Sequence, residues 1–382
     1  MDVASLADRR IVGVDLARMV ALLGMFAAHI VVARDAAGPG GVDPLYQVVA
    51  GRSSALFALL AGVGLVLATR RVSDVGRARV GLVVRAVLIA ALGIVLGSLD
   101  SGVAVILTFY GALFLCALPV LTWSARSLAW LAVGWGLLSP VVSVLLRRAV
   151  EGGPKVVPSL ESLDAPGALL RELLLTGYYP VLTWATYLFA GMALARIDLR
   201  ASAVGPRLML VGAWLAALSL GVSAMITRLP GVRAALIADP RRPVADWAGM
   251  ETQLRIGLYG THPDGTWWWL GVWSPHSGSI VDLVHTTGCA LLVLGLCLWV
   301  VRLAPMMPWR IAAGAGAMTL SLYAAHVAIL ATPLGDDARP GLVLLAHCVV
   351  AVALGSVVAA MRWRGPLEWL VARAVAFSIT AR

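Results

Sequence analysis

Charged residues are scarce in this sequence. They make up only 13% of the 382 residues, whereas 60% are hydrophobic and the mean hydropathy is +0.89. Since a soluble domain has about 25% charged residues, this composition excludes an ordinary soluble enzyme and a disordered protein. The net charge is nevertheless +10, an excess that membrane proteins carry in cytoplasmic loops facing anionic lipid. We therefore expect a lipid bilayer, and no nucleic acid, as the partner of the basic residues.

Cysteine is also scarce, and its placement excludes two roles. The four cysteines (Cys116, Cys289, Cys297 and Cys348) lie inside apolar runs and form no CxxC pair. This pattern predicts small buried side chains rather than a disulfide framework or a zinc site, and we expect no metal. Of the 30 basic residues only Lys155 is a lysine. We interpret that imbalance as a codon-pool bias without functional meaning.

Long apolar runs dominate the chain. A bilayer core needs roughly 20 apolar residues per helix, and ten runs are of that kind. They cover about 11–33, 45–68, 80–99, 103–122, 128–146, 177–195, 208–226, 279–301, 311–332 and 341–361. The sequence thus predicts an all-α, polytopic membrane protein with a single transmembrane domain over 1–382. Its long loops are 147–176 and 227–278, and 366–378 is expected to form a short interfacial helix.

The charges in the loops predict the orientation of these spans. With the N-terminus inside, the inner segments carry sixteen arginines against five acids, and the outer segments carry eleven basic residues against thirteen acids. The inner segments are 1–10, 69–79, 123–127, 196–207, 302–310 and 362–382. Both termini and the arginine-rich segment 69–79 are therefore expected in the cytoplasm, and both long loops outside.

The first apolar run contains charged residues, which are costly inside a membrane and usually mean pairing or function. Asp15 and Arg18 are three residues apart, on one helix face, where an ion pair is natural. His29 lies eleven residues after Arg18, so it shares that face about 16 Å further along the axis. The pattern is typical of a functional helix face that carries a cation at one end and an imidazole at the other. It equally fits an ion pair that stabilises the bundle and a histidine at the interface.

The same helix carries a family resemblance. Arg10-Ile-Val-Gly-Val-Asp15-Leu-Ala-Arg18 followed by His29 resembles the opening helix of the heparan-alpha-glucosaminide N-acetyltransferase-like membrane proteins, which belong to the transmembrane acyltransferase superfamily. Further similar segments begin at Phe57, Tyr179, Pro275, Gly316 and Gly365. The resemblance implies a bacterial plasma-membrane enzyme, and it also suggests a homodimer.

The activity implied by the resemblance is acyl transfer across the membrane. Cytoplasmic acetyl-CoA or another acyl-CoA would donate the acyl group to an amine or hydroxyl of an extracytoplasmic glycan or glycolipid. His29 is then the candidate base or acyl carrier, since both roles need an imidazole nitrogen. Arginine forks suit the phosphates of the donor. The candidates are Arg18, Arg70, Arg71, Arg77, Arg79 and Arg85, although topology and lipid anchoring also explain the arginines after Arg18.

Other histidines and aromatic residues gather on the predicted outer side. His326 is a second catalytic candidate, and Asp282 lies three residues before His285, where its carboxylate could orient the ring. Trp268, in a run of three tryptophans, fits sugar stacking or an interfacial belt. The candidates for binding the acceptor are Tyr179, Trp184, His262, His276 and Trp268. A core or interface role fits each of these histidines as well.

Two other functions also fit the sequence. Asp15, Arg18 and the histidines are suited to line a path for protons or an anionic solute in a proton-coupled transporter. A non-catalytic membrane scaffold is the third hypothesis. Consumption of acyl-CoA by the purified protein would distinguish the enzyme hypothesis from the transporter and scaffold hypotheses.

Overall fold

The computed structural model describes residues 10–380, except 32, 34–40, 71, 151–154, 304–305 and 334–338. These described residues form helices joined by turns and contain no β-strand, which confirms the all-α prediction. The helices in chain order are α1 (Val12–Ile30), α2 (Pro44–Val49), α3 (Arg52–Thr69), α4 (Val75–Gly97), α5 (Leu107–Leu115), α6 (Ala125–Ala149), α7 (Pro166–Arg171), α8 (Val181–Leu194), α9 (Val204–Ile226), α10 (Val232–Ile237), α11 (Trp247–Ile256), α12 (Ile280–Val300), α13 (Met306–Ala312), α14 (Thr319–Leu330), α15 (Pro340–Ala360) and α16 (Pro366–Thr380).

Seven helical segments of the described chain are long and apolar enough to cross a bilayer. They are α1, α2 with α3, α4, α6, α9, α12 and α15. The run 311–332 instead forms a helix pair bent by 56° at Met318, which makes eight candidates if the pair is one span. The bend follows the Ala-Gly-Ala-Gly-Ala turn at Ala313–Ala317, where two glycines weaken the helix.

The remaining two runs form shorter helices than their lengths predict. In 103–122 only the nine residues of α5 are α-helical, and the helix ends four residues before Pro119, which disfavours helical continuation. In 177–195 the helix α8 has 14 residues and begins directly after Pro180. Composition alone therefore overestimates helix length where a proline limits it.

Close backbone packing joins the centre of the bundle. On α3, a Cβ added at Gly62 would lie 2.3 Å from the carbonyl oxygen of Leu188 on α8. On α8, a Cβ at Gly191 would lie within 1.8 Å of the carbonyl oxygen of Leu59. The two helices thus approach through reciprocal glycines, as small residues allow in membrane proteins.

The long loop 227–278 and the C-terminal segment are both ordered by local contacts. The loop has its own apolar cluster, which includes Val232, Met250 and Trp269. The predicted helix at 366–378 is observed as α16, and it packs against α4. Its Glu368 accepts hydrogen bonds from the backbone N–H groups of Leu320 and Ser321 at 2.7 and 3.2 Å.

The glycine contact between α3 and α8 gives a stability prediction. Gly191→Ala should lower the free energy of unfolding by about 1–3 kcal/mol or more, because the added methyl group would overlap backbone. The matched control is Gly134→Ala in α6, where a Cβ meets nothing within 4 Å and the better helix former should be neutral or stabilising. Thermal unfolding in detergent measures both, and equal melting temperatures for the two variants would contradict the packing.

Candidate active site

Two cavities lie at opposite ends of α1. The Arg18 cavity, of about 550 Å³, is lined near the start of α1 by Asp15 and Arg18. The His29 cavity, of about 590 Å³, is lined at its other end by Met25 and His29. Because α1 is continuous, its 3.6-residue period keeps Arg18 and His29 on one side of the helix, and the same helix positions both.

The Arg18 cavity holds a half-buried ion-pair network. An Nη atom of Arg18 lies 3.4 Å from a carboxylate oxygen of Asp15, so the predicted ion pair is present, and Arg10 lies 4.0 Å from the same carboxylate. Arg70, Arg85 and Glu368 also line the cavity. The described lining therefore contains four guanidinium groups and two carboxylates, which leaves an excess of positive charge.

The structure separates the six arginines predicted to bind the donor. Arg18, Arg70 and Arg85 line the Arg18 cavity. Arg77 and Arg79 lie exposed in the first turns of α4, outside that lining. Arg71 lies outside the described residues.

His29 forms a hydrogen bond with a second histidine. Its Nδ1 lies 3.1 Å from Nε2 of His326 on α14, and the two rings stack with centroids 5.3 Å apart. The His326 side chain is 1% exposed, and its Nδ1 has no hydrogen-bond partner among the described residues. This contact uses Nδ1 of His29 and leaves Nε2 as the nitrogen for a molecule in the cavity.

His276 occupies a constrained position in the same cavity. Its backbone has a φ of 56°, a left-handed value that is unusual for residues other than glycine. The N–H of Gly51, itself at a φ of 74°, donates to Nε2 of His276 at 3.1 Å. Burial, together with repulsion by Lys155, lowers the pKa of His276 to about 4. The ring is therefore neutral at pH 7 and carries its proton on Nδ1.

A thin partition separates the two cavities. Ile106 lines the His29 cavity, whereas the next residue, Leu107, lines the Arg18 cavity. The Tyr110 hydroxyl donates to the Ser54 carbonyl at 3.3 Å, and the Ile106 N–H donates to the Tyr323 hydroxyl at 3.4 Å. These bonds join α3, α5 and α14 at the level where the cavities meet.

Comparison with known protein families assigns the chain to one of them. A family model described as heparan-alpha-glucosaminide N-acetyltransferase, catalytic, matches residues 10–222, more than half of the sequence. The chain belongs to this family. A comparison with curated proteins found no match. The heparan-alpha-glucosaminide N-acetyltransferase family, together with the apolar helices, indicates a multi-pass membrane acetyltransferase.

The family match covers only part of the site. It includes Asp15, Arg18 and His29 and ends within α9. His276 and His326 lie beyond it, although both reach the His29 side of the molecule in the fold. The heparan-alpha-glucosaminide N-acetyltransferase assignment therefore rests on the half of the chain that contains α1.

Two of the five residues predicted to bind the acceptor line the His29 cavity, namely Tyr179 and His276. Trp184 is buried one layer behind them, with its ring parallel to that of His276 at 6.4 Å. His262 is buried within the loop 227–278, and its Nδ1 donates to the carbonyl of Pro263. Trp268 is 41% exposed on a short 3₁₀ turn outside the cavity lining.

The predicted pairing of Asp282 with His285 is wrong. Asp282 accepts a hydrogen bond from the Gly278 N–H at 3.0 Å. The two ring nitrogens of His285 contact Nε of Arg52 and the Ala216 carbonyl, each at 3.1 Å. Spacing put the two side chains on neighbouring turns, but Asp282 binds the backbone just before its own helix, whereas His285 contacts residues of α3 and α9.

Sequence reasoning missed several residues in this family member's cavities. Arg10, Tyr110 and Glu368 line the Arg18 cavity, and Lys155 and Arg242 line the His29 cavity. Lys155 had a visible signal, since it is the single lysine in the chain, but we had interpreted it as codon bias. Arg10 and Glu368 lie in segments that carry the family resemblance, whereas Tyr110 and Arg242 had no signal in the sequence.

Proposed function

We propose that this protein is an acyltransferase of the bacterial plasma membrane. It takes an acetyl or other short acyl group from cytoplasmic acyl-CoA and transfers it to an amine or hydroxyl of an extracytoplasmic glycan or glycolipid. The observation that carries this proposal is the pair of cavities on one helix, an arginine-rich one at Arg18 and a histidine-lined one at His29, separated by a thin partition.

The proposed topology has ten crossings with both termini in the cytoplasm. Seven long helices, the bent pair α13–α14 and the shorter helices α5 and α8 supply the crossings. The excess of arginine in the segments assigned to the inside supports this orientation. The Arg18 cavity then opens toward the cytoplasm and the His29 cavity toward the outside.

The Arg18 cavity is suited to a phosphate-bearing donor. Guanidinium groups bind phosphate through paired N–H donors, and four of them line this cavity. About 16 Å of helix rise separates Arg18 from His29, a distance of the order spanned by an extended pantetheine arm. The thioester of a donor held at Arg18 would thus approach the partition next to the His29 cavity.

The contact between His29 and His326 suits His29 to act as a base or acyl carrier. With its proton on Nδ1, His29 donates to His326 Nε2 and keeps a lone pair on Nε2. That nitrogen takes the proton of the acceptor amine or hydroxyl as the acceptor attacks the thioester carbonyl, or attacks that carbonyl itself. When His29 acts as the base, the carbon–sulfur bond breaks and the proton on Nε2 passes to the sulfur, so CoA leaves as the thiol. When His29 is the acyl carrier, the bond from Nε2 to the acyl carbon forms as the carbon–sulfur bond breaks and CoA leaves as the thiolate. The acceptor then attacks the acyl-imidazole, the carbon–nitrogen bond breaks, and the proton released by the acceptor neutralises the thiolate. His326 is a positioning residue that fixes the His29 tautomer.

The labelling of single cysteines tests the topology. In a variant without the four native cysteines, Ala165→Cys and Ala245→Cys should react with a membrane-impermeant maleimide on intact cells. Ser73→Cys, which is also exposed, should react only after the membrane is opened. Labelling of Ser73→Cys on intact cells would reverse the orientation and with it the direction of transfer.

The donor site is tested by Arg18→Ala. Loss of one charge-assisted contact of about 1.5–3 kcal/mol should weaken acetyl-CoA binding roughly 10- to 100-fold. Asp15→Asn should also weaken it, because Arg18 loses its partner. Arg77→Ala is the control, an exposed arginine outside the cavity lining. Calorimetric affinities equal for the Arg18 and Arg77 variants would leave the ion pair a purely structural role.

The catalytic role of His29 is tested by replacing the imidazole. A positioned general base contributes about 10²–10⁴-fold, so His29→Asn and His29→Ala should reduce transfer at least 100-fold with acetyl-CoA binding retained. His326→Ala should cost less, and His326→Gln should recover part of that loss because its amide oxygen can accept the Nδ1–H bond. Acetylation assays with the purified variants measure these rates. Near-normal transfer by folded His29→Asn protein would exclude the proposed mechanism.

A further inference from the structure

A third histidine lies next to the pair formed by His29 and His326. His347 is on α15, and its ring lies at 87° to that of His326 with the centroids 5.0 Å apart. The hydrogen-bonded rings of His29 and His326 have a centroid separation of 5.3 Å. The separation from His347 therefore permits a bond between ring nitrogens as well, since the terminal torsion of a histidine side chain is soft and lets the ring rotate.

Two ring nitrogens at this contact are buried without a hydrogen-bond partner among the described residues. They are Nδ1 of His326 and Nε2 of His347. Both histidines line a groove of about 440 Å³ between α1, α14 and α15, and the other described residues of this groove are apolar. In α15, a candidate span, only Ala351 and Gly355 are buried, so the helix borders lipid tails, which supply no hydrogen bonds. Each unpartnered nitrogen therefore has the other histidine as the polar side chain in the groove.

The backbone fixes which nitrogen of His347 carries the proton. Its Nδ1 lies 2.8 Å from the carbonyl oxygen of Val343, one turn earlier in α15. Because a carbonyl oxygen only accepts, Nδ1 of His347 is the donor and carries the proton. In the neutral ring Nε2 then has a lone pair. The unpartnered nitrogen of His347 is thus an acceptor.

The contact between His29 and His326 allows two proton arrangements. In the first, Nδ1 of His29 donates to Nε2 of His326, and Nε2 of His29 keeps the lone pair that a base or acyl carrier needs. His326 then carries its own proton on Nδ1. In the second, His326 donates from Nε2, and the proton of His29 lies on Nε2, where it occupies that lone pair. The heavy atoms have the same positions in both arrangements, so a further partner must select one.

The acceptor on His347 favours the first arrangement. There Nδ1 of His326 is a donor, and Nε2 of His347 is the acceptor that matches it. In the second arrangement both nitrogens would be acceptors, which cannot bind each other. Since an unpartnered buried polar group is unfavourable, the first arrangement is the more stable one. A backbone carbonyl of α15 thereby determines the direction of a chain of three imidazoles that ends at His29.

We propose that His347 is a positioning residue for the reaction at His29. Its Nε2 accepts the Nδ1–H of His326, which holds His326 in the tautomer that accepts from His29 and leaves Nε2 of His29 unprotonated. This inference rests on the proposed function, because it takes His29 as the base or acyl carrier. It adds to that function a residue that lines neither the Arg18 cavity nor the His29 cavity.

Nitrogen NMR of the histidine rings tests this chain without any turnover. In purified full-length protein labelled with ¹⁵N-histidine, ring nitrogens with and without a proton have distinct chemical shifts, and single histidine substitutions assign them. At about pH 8, where neutral imidazole predominates, His29, His326 and His347 should each carry the proton on Nδ1. In His347→Leu the Nε2–H form of His29 should increase about 2- to 10-fold relative to the Nδ1–H form, the factor of one hydrogen bond. A wild-type His29 with its proton on Nε2, or the same tautomer populations in His347→Leu, would overturn the inference.

Acetyl transfer by the same proteins gives the second measurement. His347→Leu should lower kcat about 2- to 10-fold and leave KM for acetyl-CoA unchanged, because the reactive tautomer of His29 becomes less populated. His347→Gln should recover most of that loss, since its amide oxygen can accept from His326. Val350→Ala is the matched control, because Val350 lines the same groove and its replacement removes no hydrogen bond. Its kcat should equal that of wild type.

The variants also separate a hydrogen bond from simple packing. Equal losses in His347→Leu and His347→Gln, or a loss in Val350→Ala as large as that in His347→Leu, would mean that the ring only fills the groove and would overturn the inference. Wild-type protein with all three protons on Nδ1 that neither binds nor consumes acetyl-CoA would instead overturn the proposed function and leave the hydrogen-bond chain in place.

Discussion

A charged or titratable side chain inside a bilayer needs a partner or a polar cavity, and α1 carries three such residues. Asp15 forms an ion pair with Arg18 at 3.4 Å, and His326 forms a hydrogen bond with His29 at 3.1 Å. Because one continuous helix carries Arg18 and His29, polar groups from other segments are needed near both of its ends. The helices that pack against α1 include α3, α12 and α14.

The position of His326 depends on the break before α14. A helix that restarts after a bend leaves its first N–H groups without intrahelical acceptors. Glu368 of α16 accepts from two of these groups, at Leu320 and Ser321. The carboxylate therefore ties the C-terminal helix to the start of the short helix whose second turn carries Tyr323 and whose next turn carries His326. Glu368, which lines the Arg18 cavity, therefore helps to orient His326, which contacts His29.

The sequence predicted relations within a helix better than contacts between helices. The pair Asp15–Arg18 and the shared face of Arg18 and His29 follow from a period of 3.6 residues, and the structure has both. The contact between His29 and His326 joins residues 297 positions apart, and apolar runs do not specify which of them become neighbours. Asp282 and His285 show the limit of spacing, since a local backbone N–H binds Asp282 and an arginine from another helix binds His285.

The helix α5 is shorter than the sequence predicts, and this difference affects the site more than the others do. Had 103–122 formed a full-length helix, the N–H of Ile106 would bond within it. Because the helix begins only at Leu107, the Ile106 N–H binds the Tyr323 hydroxyl instead, and two consecutive residues form opposite walls. Ile106 and Leu107 contribute apolar side chains to these walls. Under the proposed function the acyl group passes between the two cavities while protons and charged CoA do not, and apolar side chains where the cavities adjoin suit that separation.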